Sequence, residues 1–171
     1  DEIGPASKGA LPDEHSPMHD TIRREVLWGN LMAGGAGVEW YFGYRYPHND
    51  LNCENWRSRD NLWNITRYAL EFFQKHLPFH KMESMDRLIT SKNDYCLGRA
   101  GEVYAIYLKE GGSTHIRLPS GHTYQSSWYN PREGGDLVKG ELIHVTGKVP
   151  VSIGPPPDDQ QKDWVCLLER R

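Results

Sequence analysis

Residues 37–43 read GVEWYFG, one β-branched residue and three aromatics in seven positions, bounded by Gly37 and Gly43. The run is short and rich in side chains that suit a pleated surface, so it predicts a buried strand rather than a helix. Both of its flanks have helical period. Over residues 20–33, Ile22, Val26, Gly29 and Ala33 recur on one face beside Leu27, Leu31 and Met32, with Asp20 placed to cap the start and Gly34-Gly35 to end it. On the other side a long loop leads to residues 58–77. There Leu62, Ile65, Ala69 and Phe72 form one stripe, with Trp63, Leu70 and Phe73 beside it, and Pro78 stops the helix. Residues 1–80 therefore read as α/β. A parallel strand needs parallel neighbours, and only a stub at residues 1–3 is at hand. The chain starts at Asp1 and its first methionine is Met18, so an upstream segment holding the rest of a barrel or sheet is expected.

Past residue 81 the period changes to two. Short strands are predicted at residues 87–90, 95–99, 102–108, 114–118, 123–129, 141–145 and 164–169. The separators between them are turn residues such as Gly111-Gly112, Pro119-Ser120-Gly121 and the run from Pro131 to Gly135. About seven strands at this spacing predict an antiparallel β-sandwich over residues 81–171. The fold class is thus α/β plus all-β, in two domains, 1–80 and 81–171.

Composition excludes several functions. Of 171 residues, 37% are hydrophobic and 25% charged, as in an ordinary globular chain. Twenty basic against 23 acidic residues give a net charge of -3, too little positive potential to hold a nucleic acid backbone. No run approaches the length and apolarity of a membrane span, so neither nucleic acid nor membrane is expected as a partner. Cys53, Cys96 and Cys166 are too few and too widely spaced for a disulfide framework or zinc ribbon. Cys96 and Cys166 read as small buried hydrophobes, with a disulfide open to them only if their strands pair.

Five stretches carry a family resemblance: DEIGP (1–5), RREVLWGNLMAGGAGVEWYFGY (23–44), AGEVYAIYL (100–108), SSWYNPREGG (126–135) and DWVCLL (163–168). Together they resemble the carboxyl-terminal part of apiosidase-like glycoside hydrolases, family 140 and relatives, whose terminal sandwich carries the label of a collagen-binding domain of a collagenase. The resemblance implies the closing units of a (β/α)8 TIM-type barrel. Its strand seven would end near Glu2, strand eight would be residues 37–43, and the last helix residues 58–77. It implies an oligo- or polysaccharide substrate, no cofactor, and a secreted or periplasmic parent protein. Collagen binding is implied by the label alone and has no charged face to support it.

Glycosidic bonds are cleaved by two carboxyl groups, which in such barrels sit at the carboxyl ends of strands. The resemblance implies that Glu2 is the catalytic nucleophile or base, its partner acid lying before residue 1. Glu39, inside an apolar strand, needs a partner if it is buried. It lines the barrel mouth against a sugar hydroxyl, pairs with an arginine such as Arg45 or Arg23, or serves as the second catalytic carboxylate. Among the aromatics, Trp40 and Phe42 read as core, whereas Tyr44, Tyr46 and Trp56 in the following loop are candidates for a sugar-stacking wall. In DEHSPMHD (13–20), Pro17 disrupts the helical spacing that would let His15 and His19 share a zinc ion. No metal is expected, and the two histidines become rim residues that could touch substrate. In the sandwich, Trp128 and Trp164 read as core, Asn130-Pro131 as a turn, and Arg132 as a partner for an aspartate. Three functions compete: a glycoside hydrolase, a binding module for glycan or collagen, and a sandwich that only covers the last barrel helix.

Overall fold

The computed structural model describes the backbone of residues 2–3 and the whole of residues 9–140, 144–147 and 150–171. Two short strands, β1 (Glu2–Ile3) and β2 (Glu39–Trp40), pair in parallel with Glu2 opposite Glu39 and Ile3 opposite Trp40. Between them comes a π-helical segment (Ile22–Trp28) that continues into α1 (Gly29–Met32). The strand expected over residues 37–43 is regular only at β2. The chain beyond it is held by single bonds, Ala10 N to the Tyr41 carbonyl at 2.6 Å and Phe42 N to the Asp50 carboxylate at 2.9 Å. Gly9 is required at this approach. Its φ is +58°, and a Cβ there would lie 2.3 Å from the Phe42 carbonyl carbon.

The first helix also departs from expectation. Asp20 does not cap it, because the Asp20 carboxylate accepts from Arg23 Nη2 at 2.6 Å. The wide π turn puts Arg23, Leu27 and Trp28 on the buried side, a spacing of four and five that an ordinary helix would splay apart. A 3₁₀ turn (Trp56–Arg59) leads into α2 (Asp60–His76), which buries the expected stripe of Leu62, Ile65, Ala69 and Phe72 and, of the three residues beside it, Phe73, while Trp63 and Leu70 stay half-buried. Asp13 serves its first turn from a distance, accepting from Asn61 N at 2.9 Å.

The rest is a sandwich. Six antiparallel strands lie in the order β3 (Glu83–Ser84), β4 (Tyr95–Arg99), β5 (Val103–Leu108), β10 (Trp164–Arg170), β7 (Thr123–Tyr129) and β8 (His144–Thr146). A second sheet pairs β6 (His115–Ile116) with β9 (Val151–Ser152). Alternate residues point to opposite faces. Leu97, Ala105, Tyr107, Tyr129, Val165 and Leu167 face the helices in one core, while Cys96, Tyr104, Ile106, Trp128, Cys166 and Leu168 belong to a second core with Ile116 and Ile153. The first core runs across position 81. Trp28 stacks on Tyr107 at 5.0 Å, and Phe72 packs on Tyr129 at 4.8 Å. The β4 and β7 limits match expectation. Residues 87–90 do not form a strand: a 3₁₀ turn, Asp86–Leu88, replaces it, because the Asp86 carboxylate is held by Cys96 N at 2.6 Å, and only Ile89 bridges to Ile116. Of the strand expected at 141–145, residues 141–143 lie outside the described residues.

Candidate functional site

The loops that follow the two parallel strands meet at one end of the molecule. They enclose a groove of about 430 Å³, with Asp13 and Glu14 from the first loop facing His48, Asn55 and Arg57 from the second. The ring of His15 packs on Tyr46 at 4.5 Å and ties the loops together. Beneath them lies Arg59, fully buried, which donates to the Ala10 carbonyl at 2.8 Å and the His48 carbonyl at 2.9 Å while its guanidinium covers the Phe42 ring at 4.3 Å. Burial pulls its pKa below the usual arginine value. The second loop is pinned further by Asn49, which donates to the Tyr46 carbonyl at 2.9 Å and accepts from Leu51 N at 2.9 Å.

Aromatic side chains stand at this end in water. Tyr44 is 61% and Trp56 56% exposed. The Trp56 ring is held in place, with Arg57 at 5.2 Å from its centroid and its carbonyl taken by Trp63 Nε1 at 2.9 Å. Tyr46 is half-buried and His15 exposed. His19 differs from expectation. At 2% exposure it lies under the groove, its Nε2 at 2.7 Å from Asp13 Oδ1, so it shapes the first loop instead of lining the rim. Glu39 differs as well. It is exposed and therefore has no desolvation cost to offset, and neither expected arginine reaches it: Arg23 is bound to Asp163, and Arg45 lies over Tyr46 at 5.8 Å. Glu2 is placed by its backbone alone, opposite Glu39; its side chain is outside the described residues. No group of three metal-ligating side chains occurs among the described residues. Trp40 and Phe42 pack inward, Trp40 donating to Thr66 Oγ1 at 3.0 Å and Phe42 meeting Trp63 edge-on at 5.6 Å.

The sequence reading missed a buried ion-pair network between the halves. Arg23 (1% exposed) donates from Nε and Nη2 to the two carboxylate oxygens of Asp163 (2% exposed), both at 2.9 Å. Tyr107 donates its hydroxyl to the same carboxylate at 2.9 Å, and Arg132 donates to the Asp163 carbonyl. Arg132 finds the aspartate partner expected of it in the carboxylates of Asp163 at 3.7 Å and Asp159 at 3.6 Å, while its guanidinium lies 5.3 Å from the Trp164 ring centroid. Burial lowers the pKa of Arg23, but the bond and charge of Asp163 outweigh it and leave the value raised; Tyr107 is pushed well above the usual tyrosine value by burial first and by Asp163 second. Breaking a buried pair of this kind costs about 3–5 kcal/mol. The one local clue was an arginine on the same helical face as Leu27 and Trp28.

Residues 83–169 match the family described as "Putative collagen-binding domain of a collagenase". The chain belongs to that family. Its match covers the six-stranded sheet and the small second sheet, and includes Tyr107, Arg132 and Asp163 of the buried network. Among solved structures, a glycoside hydrolase family 5 protein from Bacteroides vulgatus ATCC 8482 is similar with a TM-score of 0.63 at 12% identity, over 88% of this chain and 36% of that one. Another, described as a glycoside hydrolase, gives 0.62 at 13% identity with the same coverage. The likeness is one of fold, and this chain spans about a third of either protein's length. No curated protein sequence matches.

Proposed function

We propose that this chain is the carboxyl-terminal part of a glycoside hydrolase of the apiosidase-like type: residues 1–80 supply the closing units of a (β/α)8 barrel, and residues 81–171 an accessory sandwich. The observation that carries the reading is the parallel register of β1 and β2, with Glu2 opposite Glu39, followed by loops that form a groove and by a helix packed on the sheet. In a barrel, that end of the strands is the mouth, where carboxylates and ring-stacking aromatics meet the sugar. Glu2 acts as nucleophile or base, with its partner acid upstream. Tyr44, Tyr46 and Trp56 stack against pyranose or furanose rings, His15 contacts hydroxyl groups, and exposed Glu39 accepts hydrogen bonds from them. The family resemblance supports a secreted or periplasmic parent protein.

The sandwich is read as an accessory element that caps the barrel's last helices, because Tyr107 and Tyr129 bury Trp28 and Phe72. The family description favours a second reading, adhesion to collagen, although the four carboxylates around the sandwich groove near Arg132 give no cationic face. The deciding assay uses the full-length protein on pectin, xylan and yeast β-glucan. Glu2→Gln is expected to lower turnover by about 10²–10⁴-fold while leaving retardation in polysaccharide gels unchanged. Retained turnover would overturn the catalytic role, and retention on collagen fibrils without any on polysaccharide would favour the second reading.

A further inference from the structure

Arg23 has hydrogen bonds in two directions. Toward the sandwich it grips Asp163 through both carboxylate oxygens, and toward the groove it donates to the Met18 carbonyl at 2.7 Å and to Asp20 at 2.6 Å. The contacts continue from there. Arg23 N donates to the His19 carbonyl at 2.7 Å, His19 Nε2 meets Asp13 Oδ1 at 2.7 Å, and the other oxygen of Asp13 accepts from Asn61 N at the start of α2. Asn61 in turn donates to the Pro17 carbonyl at 3.0 Å. Asp13 lines the groove, so an unbroken hydrogen-bond path connects the residue before β10 with the rim.

The middle of this path is strained. His19 has φ +47°, a left-handed conformation that costs a non-glycine residue free energy and persists only where its surroundings enforce it. An ion pair serving only to join two layers would need no donors aimed at residues 18–20. We propose that the sandwich, through Asp163 acting on Arg23, holds residues 12–19 in the conformation that forms the groove, which makes Asp163 and Arg23 positioning residues for the polysaccharide. The inference rests on the groove being the sugar site.

The test follows backbone amide exchange in the full-length protein at Ser16 and His19, whose amides donate to the Pro12 and Ser16 carbonyls. Asp163→Asn, confirmed folded by circular dichroism, is expected to speed exchange at both by about tenfold and to weaken retardation in gels containing pectin, xylan or yeast β-glucan. Unchanged exchange in the folded variant would overturn the proposal. Trp56→Ala serves as the separate arm: it should abolish retardation with exchange unaltered, and retardation as strong as in the parent would sink the groove reading instead. Should Asp163→Asn fail to fold, the half-exposed Asp20→Asn releases one of the same bonds, with a smaller acceleration at the same two amides expected and none overturning the proposal.

Discussion

The six-stranded sheet is covered on both faces, every residue of β5 being buried, whereas the β1–β2 pair leaves Glu39 in water and passes into a loop that exposes Tyr44, Leu51 and Trp56. Each large apolar side chain left in solvent forgoes roughly 1.5–3 kcal/mol of burial. In the sheet, side chains alternate between two cores, so packing accounts for their identity. In the loop it does not, although buried Arg59 and Asn49 hold the loop in place. An ordered backbone carrying unburied rings fits the sugar-stacking surface proposed for this loop.

Two tryptophans give the sharpest test of that contrast. Trp28 has no exposed surface and touches Phe72, Phe73 and Tyr107. Trp28→Ala is expected to cost about 3–5 kcal/mol in urea unfolding. A smaller loss would mean the helical layer is loosely attached. The sheet's tyrosines come next. Tyr124 is pushed up to about 12, by burial and then by Tyr104, and Tyr107 and Tyr129 are also raised by burial. The folded state keeps protons that the unfolded chain gives up near pH 10. The contribution is therefore intact below that pH and is lost as pH rises toward 12, at about 1.4 kcal/mol per unit for each tyrosine. Alkaline unfolding followed at 295 nm should show ionisation and loss of structure together. Trp56→Ala should change stability by no more than about 0.5 kcal/mol; a larger loss would assign Trp56 to packing. The smallest effect concerns thiols. Cys53 is exposed, while Cys96 and Cys166 are buried, Cys166 with a pKa pushed up to about 12 by burial. Iodoacetamide at pH 8 should label Cys53 alone until denaturant is added, as mass spectrometry would report.

The elements that could be read from sequence are those stabilised by their own pattern. The stripe Leu62, Ile65, Ala69, Phe72 is the buried face of α2, and the strands over residues 95–99 and 123–129 have the limits their turns imply. Two-residue strands such as β3 and β9 carry no period to detect, and the π register at Ile22–Trp28 has no sequence signature. Cys96 and Cys166 lie opposite the same residue, Ile106, on either side of β5, so their strands never pair and no disulfide joins them. For the site, exposure of Tyr44 and Trp56 follows from their place after the strand. The burial of His19 and the grip of Arg23 on Asp163, 140 positions away, depend on how distant segments meet. The apolar neighbours of Glu39 implied a covered strand, but a pair of two-residue strands shields it on neither face.

β10 lies at the centre of its sheet although it comes last in sequence among the strands of the described residues. Its neighbours β5 and β7 are not paired with each other in the sheet; each gains its inner partner only from residues 164–170. During synthesis the ribosome must therefore deliver nearly the whole sandwich before its middle can form. Until then two apolar edges stand open to chaperones or to neighbouring nascent chains, and the same late strand that brings Asp163 to Arg23 also closes the sheet.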